Sequence, residues 1–273
     1  MSYIDVVSDL DGTLSNFTKL SKDARLDPGV VKWLETSGRT YRNSSVLNFT
    51  PLTGRSPVDL LRLIDGKVDL FDGIMTDFGM SKITADGSII DWNCGGDVDV
   101  ARRLRTVGVE AFKRASGQIL ELEIPGLYVE EKRYGGAIHT RPTEEFLPLD
   151  EIKALEEEFA LKILEMVEGI EGVDVKRGSR CVEIAPAISK LNAFLAHRKV
   201  SATKSISAFF GDDIPDLEVL KHVSNEGGLA VLVGDHLDIN HPRLTKVDNP
   251  FGTIEKLQLL LDSQGMALDF TRM

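Results

Sequence analysis

Tyr3-Ile4-Asp5-Val6-Val7-Ser8-Asp9-Leu10-Asp11-Gly12-Thr13-Leu14 is the stretch from which the rest of the chain is read. Residues 3–8 are a short apolar run that stops abruptly at Asp9, the pattern of a buried parallel strand whose carboxyl end carries chemistry. Gly12 permits a sharp turn directly afterwards. With that turn, Asp9 and Asp11 can both face one site. Two carboxylates so placed offer hard oxygen ligands for Mg²⁺, and one of them can attack phosphorus as a nucleophile. The same four residues could also form a plain solvated turn. The strand in front of them favours chemistry.

Outward from this strand, Asp27-Pro28 supplies an N-cap and a first-turn proline for a helix over 28–36. Val46-Leu47-Asn48-Phe49 reads as a second strand running into Thr53-Gly54-Arg55, and Ser56-Pro57 opens a helix with Val58, Leu60, Leu61 and Leu63 as its apolar positions. The middle of the chain changes character. A helix near 98–115 precedes three strand-like pieces: Leu120–Ile124, Leu127–Lys132 and Gly136–Arg141. A helix over 149–167 presents Ile152, Leu155, Phe159, Ile163 and Met166 on one face, and strands at Val173–Lys176 and Cys181–Ile184 follow. From 187 onward helices (189–198, 215–222, 252–262) again alternate with strands (205–210, 229–233). The expected fold is therefore α/β, a Rossmann-like core with a parallel sheet, interrupted by a smaller α+β unit. The expected division is 1–93 and 187–273 for the core and 94–186 for the insert.

Three further groups sit at element boundaries. Thr53 can donate a hydroxyl to a phosphoryl oxygen beside a helix N-terminus. Lys190, on the helix after the insert, can balance an attacking carboxylate and a developing phosphoryl charge. Gly211-Asp212-Asp213-Ile214-Pro215-Asp216 follows an apolar strand, and its three crowded carboxylates repel one another unless a cation neutralises them.

Asp-x-Asp-Gly-Thr, Thr-Gly-Arg, Lys and Gly-Asp-Asp-x-x-Asp, in this order, resemble the haloacid dehalogenase superfamily of phosphohydrolases. The resemblance implies that Asp9 is the nucleophile and Asp11 the general acid/base. It further implies that Asp9, Asp212 and the main-chain carbonyl of Asp11 hold Mg²⁺, with Asp216 assisting through water, while Thr53 and Lys190 clamp the phosphoryl group. In that superfamily an α+β insert at this place is a cap that sets specificity.

Glu130-x-Lys132 followed by His139-x-Arg141, with Val182-Glu183-Ile184-x-Pro186 ahead of Lys190, is similar to the cap of trehalose-6-phosphate phosphatases; Thr53-Gly54-Arg55-Ser56 has a counterpart there too. Arg55, Glu130, Lys132, His139, Arg141 and Glu183 are accordingly the expected substrate-binding set. Carboxylate and cationic groups suit sugar hydroxyls, because each makes several directed hydrogen bonds. A polar strand face with Glu130 and Lys132 merely paired is the alternative. The chain departs from that family at Leu191-Asn192, where a glycine is usual, at Thr140, where an aromatic is usual, and at Ile214-Pro215. The expected substrate is thus a sugar phosphate, trehalose 6-phosphate or a similar disaccharide phosphate. Sucrose-phosphate or mannosyl-3-phosphoglycerate phosphatases and sugar phosphomutases share the architecture and stay open, as does a non-catalytic sensor.

Composition sets bounds around this reading. The 273 residues carry a formal net charge of −11, which argues against polyanionic partners such as nucleic acid or an anionic membrane. The two cysteines, Cys94 and Cys181, form no CxxC pair and read as buried thiols in a reducing compartment. No apolar run reaches membrane-spanning length and no signal segment is visible, so a cytoplasmic protein with a small-molecule partner and no obligate protein partner is expected.

Overall fold

The computed structural model describes residues 3–16, 18, 21–92, 98–178, 180–201, 205–235, 237, 239 and 241–264. In chain order, the first core segment holds β1 (Tyr3–Ser8), α1 (Pro28–Trp33), α2 (Arg39–Asn43), β2 (Leu47–Pro51) and α3 (Pro57–Leu63). Three short strands follow, β3 (Ile74–Thr76), β4 (Ser81–Ile83) and β5 (Ile89–Asp91). The insert comprises α4 (Val98–Leu120), β6 (Tyr128–Lys132), β7 (Gly135–His139), α5 (Leu149–Val167), β8 (Val173–Gly178) and β9 (Cys181–Pro186). The chain then returns through α6 (Lys190–Val200), β10 (Ser205–Gly211), α7 (Leu217–Asn225), β11 (Leu229–Val233), β12 (Leu244–Val247) and α8 (Pro250–Ser263).

The core is a parallel sheet ordered β12-β11-β10-β1-β2. Ile4, Val6 and Val7 of β1 are wholly buried, as a strand covered on both faces requires. Chain connections leave β1 toward β2 on one side and come back from the insert to β10 on the other. The carboxyl ends of β1 and β10 therefore flank a switch point, where open α/β sheets place ligands. The insert is a four-stranded antiparallel sheet, β6-β7-β9-β8, lying between Thr53 and Lys190 in sequence. One face packs Val129, Ile138, Val182 and Ile184 against Phe112, Ala115, Phe159 and Ile163 of α4 and α5. The other face is free for a site.

Several local expectations change. The helix begun at Pro28 continues beyond 36: a π-helical turn, Leu34–Gly38, joins α1 to α2. Val58 is not an apolar anchor of α3, being 78% exposed. Leu120–Ile124 is no strand, because α4 runs on through Leu120 with Ala111, Ala115 and Ile119 buried at helical spacing. Glu123 and Gly126 then turn the chain at positive φ. Residue 94, with its cysteine and the expected boundary, lies outside the described residues. Cys181 is a free thiol, only half-buried. Among the described residues no helix is long and apolar enough to cross a membrane.

Candidate active site

The floor of the site is built at the ends of β1 and β10. After Ser8 the Asp9 amide still donates to the Phe210 carbonyl at 2.8 Å, and the Leu10 carbonyl then accepts from the amides of Thr13, Leu14 and Ser15. Buried Leu10 and Leu14 pin that turn into the core, and Gly12 supplies its positive φ of 76°. Asp9 is thereby held in place and buried. On the neighbouring strand Gly211 leaves room for Asp216, since a Cβ there would stand 2.5 Å from the Asp216 Cβ.

Asp9, Asp212 and Asp216 each point one carboxylate oxygen to a common centre, all three within 4.8 Å of one another. Lys190 bridges two of them, at 2.8 Å from Asp9 and 2.7 Å from Asp216. Ser189 N-caps α6 and so puts Lys190 at its first position, against the helix dipole. Burial also disfavours the ammonium, yet Asp216 and Asp9 outweigh it and drive the lysine up. The Asp212 carboxylate accepts from the Thr13 hydroxyl at 2.8 Å. Asp213 belongs elsewhere. It caps the short turn Ile214–Asp216, accepting from the Ile214 amide at 2.7 Å.

The trio is electrostatically unsatisfied. Burial, aided by the charges of Asp216 and Asp11, pushes Asp9 upward despite Lys190. Burial with the charges of Asp9 and Asp216 pushes Asp212 upward as well. Hard oxygen donors that disfavour their own ionisation when close together are the donor set a divalent cation requires. The residues fit Mg²⁺.

Asp11 stands apart from the trio. Its two oxygens accept from Nε and Nη2 of Arg55 at 2.7 and 2.6 Å, a forked pairing. Arg55 also meets Asp59, a residue with no signal in the motif reading except its i+4 position on α3. Burial opposes the guanidinium charge, and Asp11 and Asp59 outweigh it. Thr53 is buried, and its hydroxyl oxygen accepts from the Arg55 amide at 3.1 Å.

Above the floor hangs the free face of the insert's sheet. Strand register puts Glu130, Ala137, Glu183 and Lys176 in one row, and Tyr128, His139, Cys181 and Gly178 in the next. Lys132 donates to Glu183 at 2.8 Å and to the Gly54 carbonyl at 3.2 Å, so it links wall and floor. His139 Nε2 lies 2.8 Å from Glu130. Burial works against both members of that pair, but the His139 contacts pull Glu130 down to about 2. Cys181 and Glu130 in turn raise His139 to about 10. Floor and wall enclose a cavity of about 180 Å³ whose lining includes Asp9, Asp11, Thr53, Arg55, Glu130, Lys132, His139, Arg141, Glu183, Lys190 and Asp212. Of the residues expected from sequence, only Asp216 stays behind this lining, as the support of Lys190.

Sequence reasoning missed Phe78, Lys176 and Cys181, which line the same cavity. Phe78 follows β3 in a left-handed conformation (φ 56°, ψ 27°) and packs on Gly54, where a Cβ would come within 2.6 Å of its ring. Lys176 and Cys181 could have been found from period two along β8 and β9, once the register to Glu183 was known.

No protein-family model and no curated protein sequence matches the chain. Solved structures do match over nearly its whole length. A trehalose-6-phosphate phosphatase related protein shares 22% identity at a TM-score of 0.66, covering 96% of this chain and 99% of that one. The C-terminal domain of trehalose-6-phosphate phosphatase from C. albicans shares 16% identity at 0.69, covering 96% and 93%. Sucrose-phosphatase from Synechocystis, solved with sucrose and phosphate, shares 15% at 0.57, covering 96% and 99%. The chain thus has the fold of the haloacid dehalogenase-type phosphatases, a parallel-sheet core with an α+β cap inserted between the second and third motifs, and resembles the trehalose-6-phosphate phosphatases.

Proposed function

We propose that the protein is a Mg²⁺-dependent phosphomonoester hydrolase that acts on a sugar phosphate through an aspartyl-phosphate. The observation that carries this reading is the buried trio Asp9, Asp212 and Asp216, with Lys190 on Asp9, opposite a wall of alternating carboxylates and cations. Asp9 forms a bond to phosphorus as the bond from phosphorus to the sugar oxygen breaks, and Asp11 gives that oxygen its proton. Water then attacks phosphorus, Asp11 takes the water's proton, and the bond to Asp9 breaks to release inorganic phosphate. Asp11 must leave Arg55 to do this, so the Arg55 fork holds it away until substrate enters. Thr53 and Lys190 hold phosphoryl oxygens throughout.

Asp9, Asp212 and the main-chain carbonyl of Asp11 would hold Mg²⁺, with Asp216 assisting through water. When bound, the ion supplies the positive charge that this carboxylate cluster lacks and offsets charge on the phosphoryl oxygens. Residues 94–186 would serve as the cap, with Glu130, Lys132, His139, Arg141 and Glu183 reading sugar hydroxyls. Likeness to the cap of trehalose-6-phosphate phosphatases makes trehalose 6-phosphate the first sugar phosphate to test. Asp9→Asn should abolish phosphate release, and quenched wild-type protein should yield a phosphorylated peptide carrying Asp9. Undiminished turnover by the variant would overturn the mechanism.

A further inference from the structure

Three lysines line the cavity, and they are not alike. Lys190 sits between Asp9 and Asp216, and Lys132 lies against Glu183. Lys176 is placed differently. Its side chain is only 14% exposed, its ammonium donates to the Ile188 carbonyl at 2.7 Å and lies 5.0 Å from the centre of the Phe78 ring, and Asp174 is 3.9 Å away with its own side chain 53% exposed. Burial drives Lys176 down, whereas carboxylate partners drive Lys132 and Lys190 up. Glu183 and Glu218 add attraction from farther off, but burial and the charge of Lys190 prevail, so this enclosed cation is under-neutralised until an anion arrives.

Its position indicates which end of a substrate it meets. Lys176 stands in the row of Glu183, on β8 at the edge of the cap sheet, and so belongs to the wall that faces the sugar. The phosphoryl end is already served from the floor. A neighbour after β8 leans the same way: Arg180 also lines the cavity, while the carboxylates it meets, Glu144 and Glu156, do not. A neutral disaccharide needs hydrogen bonds there but no net positive charge. A leaving group that itself carries an anion needs both.

We propose that Lys176 is a specificity-determining residue that binds a carboxylate on the leaving group, so that the preferred substrate carries a second anionic group beyond the phosphoryl group being removed. The proposal rests on the phosphatase reading above and chooses within the sugar phosphates. By its chemistry, such a substrate comes from a reaction that joins a sugar to a phosphorylated hydroxy acid, and dephosphorylation leaves a glycosylated acid.

The test is phosphate release with Mg²⁺ from three probes: p-nitrophenyl phosphate, trehalose 6-phosphate and glucosyl-3-phosphoglycerate. The carboxylate-bearing probe is expected to exceed trehalose 6-phosphate in kcat/KM by about tenfold or more, the scale of one charge-assisted contact. Lys176→Gln should remove that preference mainly through KM while leaving trehalose 6-phosphate within about twofold, and Lys176→Arg should keep most of it. Equal or better turnover of trehalose 6-phosphate by the wild type overturns the proposal and leaves the phosphatase reading standing. Equal loss on all three probes in both variants also overturns it, placing Lys176 on the phosphoryl group or in a purely structural tie to Ile188. No release from any probe would overturn the phosphatase reading itself, and the proposal with it.

Discussion

The floor and the cap wall of the cavity are both crowded with charge, and they are organised in opposite ways. On the floor like charges are forced together: Asp9, Asp212 and Asp216 converge within 4.8 Å, and burial and mutual repulsion push Asp9 and Asp212 toward their neutral forms. On the wall opposite charges alternate, so Glu130 is pulled down and His139 pushed up until both are firmly ionised. A frustrated cluster gains most from an arriving cation or from charge that moves during a reaction. The paired part of the wall, Glu130 with His139 and Lys132 with Glu183, instead presents fixed donors and acceptors, as recognition demands, and Lys176 stands outside that pairing. In the proposed phosphatase, chemistry and selection are separated by the sign pattern of their charges.

The severest way to break this contrast is to neutralise the floor. Asp212→Asn should lower phosphate release by roughly a thousandfold or more, since it removes a hard ligand and a charge that the reaction uses. It should also abolish the rise in melting temperature that Mg²⁺ gives the wild type. Retention of both would mean that the trio is not the cation site. Next in size is a change on the wall. Glu183→Gln weakens the hold on Lys132, and kcat/KM for the sugar phosphate should fall about a hundredfold, the scale of a desolvated charge pair in a binding site. Turnover of p-nitrophenyl phosphate, which needs only the floor, should change by less than about threefold. Equal losses on both substrates would erase the distinction between the two regions.

The floor was largely legible in the sequence and the wall only in part, for a physical reason. Each floor residue ends an apolar strand or begins a helix, so a change from hydrophobic run to Asp, Thr or Lys marks it locally. The wall is made by pairing between strands that lie up to about fifty residues apart, and register is not written locally. Glu130 and Lys132 could be placed on one face of a strand, but the addition of Lys176 and Cys181 to that face required the β8-β9 and β7-β9 registers. The strands β3 to β5, three residues each, offered too little periodicity to be seen. Leu120–Ile124 alternates like a strand yet begins inside α4. Leu120 and Leu122, 51% and 44% exposed, have no sheet to join there. The Arg55 fork on Asp11 was hidden because contact between motifs 44 positions apart follows from the fold.

A smaller effect separates the two regions by pH. Glu130 falls to about 2 in the folded chain, so its share of the stability of the pair is present above its ordinary value and lost as pH drops toward 2. Against burial, Cys181 first and Glu130 after it raise His139 to about 10, so the part that Glu130 contributes is full below the ordinary value of about 6.5 and is lost as pH climbs toward 10. The wild type should therefore exceed Glu130→Gln in melting temperature by roughly 2–4 °C between about pH 4.5 and 6.5, with the gap closing on either side. A gap that is flat from pH 3 to 10 would mean that the pair is not the charged array described above.

The smallest expected effect on turnover falls on Phe78, the core residue where floor and wall meet. Its ring covers Gly54 of the floor and lies 5.0 Å from the Lys176 ammonium of the wall, while its backbone sits at φ 56°, where a bulky residue is strained. Phe78→Asn sets these terms against each other. Asparagine accepts the left-handed conformation more readily, which recovers about 1 kcal/mol. Loss of a ring only 6% exposed gives up about 3 kcal/mol or more of buried packing, together with a cation–π contact worth about 0.5–1 kcal/mol. The melting temperature should then fall by roughly 4–10 °C, because the buried packing outweighs the strain recovered. The KM for glucosyl-3-phosphoglycerate should rise about three- to fivefold, because Lys176 loses the surface that positions it, while p-nitrophenyl phosphate is turned over as before. If instead kcat falls for both substrates, Phe78 supports the phosphoryl clamp at Thr53 through Gly54, and the seam between recognition and chemistry lies one residue nearer the floor than the charge pattern places it.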